Sequence, residues 1–448
     1  MAEAAGGLVL REERARAARR VVLAVAAVVL VVMAVATGVQ GERRVARNLR
    51  LHPEATVNDL GRWTQMLPGF LDGRSEYVDD GFPYPPIVLA LMWPVTLVSQ
   101  PAAQVVWACV QCALAAWIFA VVWGMVRAAR GGQMEPAALA LVLFVWLWPM
   151  VGDFQEGQTN LLMLLPLVLG LRLLQARRRG TDAGAGVLVA LAISVKVTPL
   201  IFLVYLLVQR RWVAAAACVG GLGVWLLAAP AALFGWQRNL LWLNEWGHIM
   251  IIPYVRHGAI QYYTGQSVAS FLTRLLRHVP AFTTAGAAGV PSVHYVNIAD
   301  LPEAAVRWLT RGILLAVLGA GAWWMRRPLT SFAQQRYVVQ VGCVAAFMVW
   351  ASERTWIHHY VTLILPLMAL GMEVSDRRVL RGRRLWGYAA LALAGLAMLL
   401  TSDAARVFGR DAGDYVRAVG VPLLASAVLV AAMLWVGCGK REGTAAPG

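Results

Sequence analysis

Long apolar runs alternate with short arginine clusters along most of the chain, and this alternation limits the fold more than any other feature. The run VVLAVAAVVLVVMAVATGV at 21–39, preceded by a basic segment, is one example. A helix that crosses a bilayer needs about 20 predominantly apolar residues. Of 448 residues, 59% are hydrophobic and only 14% are charged, which is too apolar for a soluble protein of this size. The pattern predicts an all-α, polytopic membrane protein that forms one domain, 1–448.

The basic residues predict the orientation of the helices, because short loops rich in lysine and arginine stay on the cytoplasmic side. We expect about twelve spanning helices with both termini in the cytoplasm. The net charge of +16 is therefore a topology signal, and no nucleic-acid partner is expected because the basic residues form no continuous stripe. The basic clusters lie at 127–130, 177–179, 210–211, 326–327, 377–384 and 440–441. The spans are expected near 21–39, 102–127, 137–151, 160–176, 184–196, 198–209, 213–234, 305–325, 335–351, 360–373, 385–401 and 415–436.

Two long segments are predicted to lie on the outer side of the membrane. The first contains PPIVLALMWPVTLVSQP at 85–101, a short stretch with Pro94 inside it. If this stretch spanned, every later basic loop would change sides, so we predict a helix that lies at the outer interface. Residues 40–101 then form a first outer loop that carries juxtamembrane helices and Asp59. The second outer loop, 235–304, is rich in tryptophan and tyrosine.

Lys196 stands in the otherwise largely apolar stretch VALAISVKVTPLIFLVYLL at 189–207. A charge at the centre of a bilayer costs from about 2.5 to more than 10 kcal/mol. Because both flanks of the stretch are predicted to be cytoplasmic, we predict two short helices, 184–196 and 198–209, that meet at Pro199. Proline disfavours helix in the residue before it and tolerates a helix start. Lys196 would then lie at the outer tip of a thin hairpin, where water or an anion can reach it.

The predicted topology collects the polar segments on one face of the membrane. Besides the two outer loops and the Lys196 tip, these segments are GDFQEGQTN at 152–160 and SERTWIHH at 352–359. Carboxylates can act as general bases toward a hydroxyl, basic groups bind phosphate, and aromatic faces and amides hold sugars. The combination is suited to sugar chemistry on a lipid-borne phosphate.

Four short motifs, spread from about residue 58 to 366, occur in the order typical of one enzyme family. They are Asp59 followed by YPP at 84–86, GQTN at 157–160, KVTP at 196–199 ending in QRRW at 209–212, and Trp356 followed by His358 and His359. With these motifs the chain resembles a glycosyltransferase of the GT-C superfamily, family 87, the polyprenyl-phosphate-mannose-dependent mannosyltransferases. The family usually has an aromatic residue beside the Asp, where this chain reads NDLGRW.

The resemblance implies a GT-C fold and a hexosyltransferase in the cell membrane with its active site on the extracytoplasmic face. A sugar, with mannose favoured, would pass with inversion from a polyprenyl-phosphate donor to a lipid or glycan acceptor. Neither a cofactor nor an obligatory metal ion is expected. The implied roles are general base for Asp59, binding of the donor phosphate for Lys196, Arg354, His358 and His359, and substrate binding for Arg62, Tyr84, Gln158 and Asn160.

Several of these residues also have a simpler interpretation. Asp59 could cap a juxtamembrane helix, Lys196 could extend to the interface as a structural lysine, and at least one of His358 and His359 could serve packing alone. The acidic stretch at 72–80 could be a solvated loop or a metal site. The tryptophans at 236, 242 and 246 could anchor the chain at the interface or hold sugars.

A membrane transporter or lipid flippase is the alternative function. About twelve spans and a buried charge suit such a protein. Transporters, however, tend to have two similar halves and polar residues near the midplane of several helices. This sequence has no internal repeat, and its polar residues gather at one face.

Overall fold

The architecture is almost entirely helical, as predicted. A computed structural model describes residues 2–51, 56–75, 77, 81–130, 132–176, 178–253, 262–285, 290–329, 334–409 and 411–437. The first helices, which carry the amino-terminal half of the site, are α1 (Ala2–Leu51), α2 (Asp59–Leu71), α3 (Pro86–Thr96), α4 (Gln100–Arg130), α5 (Pro136–Glu156) and α6 (Asn160–Leu174).

Helix α1 continues through Gln40 to Leu51, so the predicted first outer loop, 40–101, begins within a helix. The extension QGERRVARNLRL holds Arg, Glu, Ala and Leu, which are good helix formers. Hydropathy marks only the apolar part of such a helix. The two juxtamembrane helices predicted for this loop are present as α2 and α3, and α3 begins with proline at its first position, where a missing N–H costs nothing.

The predicted helix break at Lys196 is confirmed. Helix α7 (Arg179–Val195) ends directly before the lysine, and α8 (Leu200–Val208) begins directly after Pro199. Helix α7 packs mainly against α6 and the following helix α9 (Trp212–Leu222). Gly186 allows this close approach, since an added Cβ would overlap the carbonyl oxygen of Ala214. Small residues at helix interfaces are common in membrane proteins for this reason.

The carboxy-terminal half completes the bundle. After the π-helical turn Gly223–Ala228, the chain forms α10 (Ala229–Phe234), α11 (Trp236–Trp246), a second π-helical turn (Gly247–Ile251) and α12 (Val268–Leu276). Then follow α13 (Glu303–Met325), α14 (Gln335–Ala351), a 3₁₀ segment (Ile357–Leu363), α15 (Ile364–Val374), α16 (Arg381–Leu400), a 3₁₀ segment (Asp403–Phe408), α17 (Ala412–Ala418) and α18 (Val421–Gly437).

Two details of this half differ from the predictions. The second outer loop contains a two-stranded antiparallel hairpin, β1 (Phe282–Ala285) paired with β2 (Pro291–His294). The last predicted span, 415–436, is broken at Gly420, which adopts a positive φ of 74° and is followed by a 57° bend. The strands of the hairpin are too short to show a periodic pattern of apolar residues in the sequence. A single glycine inside an apolar helix does not by itself predict a helix break.

Seven helices of the described chain are long and apolar enough to cross a membrane, and the bent pair α17 and α18 would be an eighth. The chain is therefore a multi-pass membrane protein. The count of about twelve stays a prediction, since its other members are short. These shorter helices are α6, α7, α8 and α14.

Cysteine accessibility tests the orientation. In a variant without native cysteines, Ser352→Cys and Glu245→Cys should react with a membrane-impermeant maleimide added to intact cells, because both residues belong to predicted outer segments. Arg178→Cys and Arg381→Cys should react only after permeabilisation. Labelling of Arg178→Cys in intact cells would contradict the predicted topology.

Candidate active site

One cavity of about 540 Å³ brings together segments that are far apart in sequence. Eight of the nine predicted site residues line it, and the ninth, Asn160, lies behind its wall in contact with Lys196. The eight are Asp59, Arg62, Tyr84, Gln158, Lys196, Arg354, His358 and His359. The cavity walls include α2, the YPP segment, Gln158 of the GQTN turn, the 195–198 break and the segment before α15.

Asp59 faces this cavity from the first turn of α2. The cap of that helix is its neighbour Asn58, whose side chain accepts a 2.9 Å hydrogen bond from the backbone N–H of Gly61. The interpretation of Asp59 as a helix cap is therefore wrong. Asp59 Oδ2 instead accepts a hydrogen bond from Gln158 Nε2, and the Tyr84 hydroxyl donates to Gln158 Oε1 at 3.4 Å.

The environment of Asp59 suits a base. Burial raises the pKa of its carboxyl above the ordinary value of 3.8, and the positive charges of Lys196 and Arg62 oppose the shift. Desolvation disfavours the charged form of a carboxyl, so the ionised group accepts a proton more readily. A carboxylate with a raised pKa is a stronger base than an exposed one.

Gly157 determines how closely α2 approaches the GQTN turn. It ends α5 in the left-handed conformation, with φ 63° and ψ 38°. A Cβ at this position would overlap the Cβ of Leu60, the residue after Asp59. Only glycine satisfies both conditions without strain, so the contact between Asp59 and Gln158 depends on it.

Lys196 has defined partners inside the protein. Its Nζ donates to Asn160 Oδ1 at 2.6 Å, lies 3.2 Å from His359 Nε2, and is 5.6 Å from the centre of the Tyr84 ring. The side chain is half-buried and lines the cavity. A lysine held this way presents its charge to a ligand in the cavity.

The two histidines differ in what they can offer. The backbone N–H of Trp356 donates to His359 Nδ1 at 2.8 Å, so a neutral His359 ring carries its proton on Nε2, the atom that faces Lys196. A charged Lys196 and the His359 Nε2–H are then both donors and do not bond to each other across the 3.2 Å between them. Both residues line the cavity, where an anionic oxygen can accept from both. His358 is buried, lies against the His359 ring at 4.6 Å, and accepts through its backbone oxygen from Asn160 at 3.4 Å.

Glu353 lines the cavity although the sequence assigns it no role, and Trp246, which the sequence offers as an interface anchor or a sugar-holding residue, lines it as well. Glu353 stands beside Arg354, and burial raises the pKa of its carboxyl. Trp246 donates from Nε1 to the Pro83 oxygen at 3.2 Å and faces the cavity, whereas Trp242 is fully buried and Trp236 is exposed. The three tryptophans therefore have three different environments.

Acidic residues elsewhere in the first outer loop are not brought to the cavity as far as the structure describes them. Asp72 caps the carboxyl end of α2 and is not among the cavity residues. Glu76, Asp79 and Asp80 lie outside the described residues. Across the described part of the chain, no group of three or more His, Cys, Asp or Glu residues is arranged to hold a metal ion.

A carboxylate, a lysine and an imidazole in one cavity of a multi-pass helical membrane protein are compatible with a membrane-embedded transferase. The profile of glycosyltransferase family 87 matches residues 82–352, more than half of the 448 residues. The chain belongs to this family. The predicted membership of family 87 and the predicted enzyme class, a glycosyltransferase, are confirmed, and the transporter alternative is set aside.

Curated relatives cover most of the chain at low identity. A polyprenol-phosphate-mannose-dependent alpha-(1-2)-phosphatidylinositol mannoside mannosyltransferase of Mycobacterium tuberculosis is 27% identical over 365 residues, 76% of this chain and 75% of the relative. A polyprenol-phosphate-mannose-dependent alpha-(1-2)-phosphatidylinositol pentamannoside mannosyltransferase of Mycolicibacterium smegmatis is 26% identical, over 71% of this chain and 68% of the relative. The crystal structure of ArnT from Cupriavidus metallidurans bound to undecaprenyl phosphate matches with a TM-score of 0.36 and 16% identity, over 92% of this chain and 77% of ArnT. At that score the similarity says nothing about the site.

Proposed function

We propose that this glycosyltransferase moves a sugar, with mannose favoured, from a polyprenyl phosphate to a hydroxyl of a lipid or glycan acceptor on the extracytoplasmic face. The observation that carries the proposal is that a half-buried carboxylate, Asp59, and a pair of phosphate-compatible donors, Lys196 and His359, line the same cavity. The names of the curated relatives support the donor and the sugar.

In this proposal Asp59 deprotonates the acceptor hydroxyl as that hydroxyl attacks the anomeric carbon. The bond from that carbon to the phosphate oxygen breaks at the same time, and the configuration inverts. Gln158 holds the carboxylate, so that one of its oxygens remains directed at the incoming hydroxyl. The raised pKa of Asp59 favours proton transfer.

The leaving polyprenyl phosphate gains negative charge and needs positive or donor groups. Lys196 and the His359 Nε2–H supply two of them at the break between α7 and α8. Arg354 lines the same cavity and can add a planar, permanently charged donor. Such preorganised groups stabilise charge that develops in the transition state.

An apolar groove of about 350 Å³ supports a lipid-linked donor. Its lining begins with Ile201 and Trp350, close in sequence to Thr198 and Ala351 of the cavity. It continues between α8, α13, α14 and α18 as far as Met325, the last residue of α13. We propose that the polyprenyl chain of the donor occupies this groove while its phosphate lies at Lys196, because the groove starts beside the cavity and its lining is apolar.

The proposed side of the membrane for the active site follows from the grouping of the polar segments. All cavity segments belong to stretches that the arginine clusters assign to the outer side, and their convergence in one cavity supports a common side. On this basis both termini are cytoplasmic. The assay of the function is incubation of membranes with radiolabelled polyprenyl-phosphate-mannose and extracted lipids, with transfer of label to lipid as the expected result.

Asp59→Asn keeps the shape of the side chain and removes its basicity. Because general base catalysis contributes about 100- to 10,000-fold, we expect a loss of that size in turnover with normal expression. In the parent enzyme, activity should fall as the pH falls through the raised pKa of Asp59. Asp72→Asn, the same change at an exposed position outside the cavity, is the control and should behave like wild type. Near-normal turnover of Asp59→Asn would exclude the base.

Lys196→Met removes the proposed phosphate ligand and leaves a residue that is comfortable in lipid. A hydrogen bond to a charged group is worth about 1.5–3 kcal/mol, so catalytic efficiency toward the donor should fall by about 10- to 150-fold. Lys196→Arg should retain part of it, since the charge remains in a different shape. Initial rates against donor concentration measure the effect. If the methionine variant equals wild type, Lys196 does not bind the phosphate.

Gly321→Phe tests the groove. Gly321 lines it, and an added Cβ there meets no atom within 4 Å, so the larger side chain fills the groove without strain in the helix. We expect a higher KM for a long-chain polyprenyl donor and little change for a short-chain analogue. Gly319→Phe is the matched control, because Gly319 is equally open and does not line the groove. Equal effects on both donor lengths would contradict the assignment.

A further inference from the structure

Asp153 is a fully buried carboxylate behind the cavity wall, in the last turn of α5. It does not line the cavity, so it cannot touch a substrate there. Its Oδ1 accepts from Asn160 Nδ2 at 2.7 Å, and its Oδ2 accepts from Gln111 Nε2 at 3.0 Å. A carboxylate is stable in a buried position only where such hydrogen-bond partners compensate the cost of its desolvation.

The carboxylate determines the orientation of Asn160. An ionised carboxylate only accepts hydrogen bonds, so Asn160 must turn its NH₂ group toward Asp153. The carbonyl oxygen of Asn160 is thereby directed to the other side, where it accepts from Lys196 Nζ at 2.6 Å. With the amide reversed, an NH₂ group would face the lysine and two donors would oppose each other.

The same carboxylate also supports the part of the site that contains the base. Gln111 Nε2, which donates to Asp153, also contacts the backbone oxygen of Gln158 at 3.3 Å. Gln158 in turn holds Asp59. The chain from Asp153 through Asn160 to Lys196 is the shorter and stronger of the two connections, because it consists of two direct side-chain hydrogen bonds.

We propose that Asp153 is a positioning residue, which fixes the Asn160 amide so that Lys196 stands at the phosphate end of the cavity. The proposal rests on the proposed function, in which Lys196 binds the donor phosphate. Asp153 also places a negative charge two hydrogen bonds away from the lysine, which offsets the cost of holding an ammonium group in a half-buried position before the donor arrives.

Asp153→Asn is the first test. The new amide can donate to Asn160 Oδ1, which allows Asn160 to reverse and to turn its NH₂ group toward Lys196. We expect the KM for polyprenyl-phosphate-mannose to rise by roughly 10-fold, the value of one charge-assisted hydrogen bond, while the KM for the acceptor stays near wild type. Asp182→Asn is the matched control, since Asp182 pairs with Arg211 and neither residue lines the cavity. It should leave both values unchanged.

A double-variant cycle separates positioning from a general structural role. In a Lys196→Met background, Asp153→Asn should add little to the donor KM, because the residue through which it acts is gone. Additive effects would overturn the proposal, as would a wild-type donor KM in Asp153→Asn. If Lys196→Met itself leaves the donor KM unchanged, the phosphate role in the proposed function fails first, and the two failures are thereby distinguished.

A second variant keeps the proposal testable if Asp153→Asn does not fold. Asn160→Ala removes the link between Asp153 and Lys196 and leaves the carboxylate with Gln111. It should raise the donor KM to a similar extent and should likewise add little in the Lys196→Met background. A wild-type donor KM in Asn160→Ala would overturn the proposal.

Discussion

A lysine inside an apolar helical protein needs hydrogen-bond partners, and the candidate site is built from the partners of Lys196. The α-helical hydrogen bonds of α7 and α8 are interrupted at residues 196–199, so the lysine stands where the backbone turns and not on the face of a long helix. Asn160 and His359 reach it from two other segments. The site therefore forms only when three separate parts of the chain have packed together.

The cavity combines opposite requirements in a small volume. A general base must be ionised and must still have a pKa high enough to accept a proton. A phosphate site must hold positive charge before the anion arrives. Asp59 and Lys196, the proposed base and the proposed phosphate ligand, suit these conditions together, since the charge of each offsets the cost of desolvating the other. Fixed amides at Gln158 and Asn160 complete the arrangement, because they supply dipoles without adding net charge.

Much of this organisation could be predicted from the sequence. Apolar runs and arginine clusters located most of the helices, and Pro199 after a lysine in an apolar stretch located the break. The extension of α1 to Leu51 and the bend at Gly420 escaped prediction, because hydropathy does not register a polar helix or a single glycine in an apolar one. Motif resemblance pointed to eight residues that line the cavity. Asp153 and Glu353 were missed although both stand in polar segments that the topology singled out, because only three-dimensional packing tells which acidic residue of a segment faces inward.

The left-handed turn at Gly157 has a consequence for how the family's chemistry can vary. The hydrogen atom that glycine carries in place of a side chain is the spacer between the helix of Asp59, the proposed base, and the turn of its amide partner Gln158. Neighbouring residues can exchange and leave the reaction intact, provided that this gap stays open. Changes in acceptor choice are therefore expected to arise along the rims of the cavity, where walls such as Trp246 can be replaced singly, and not at this junction.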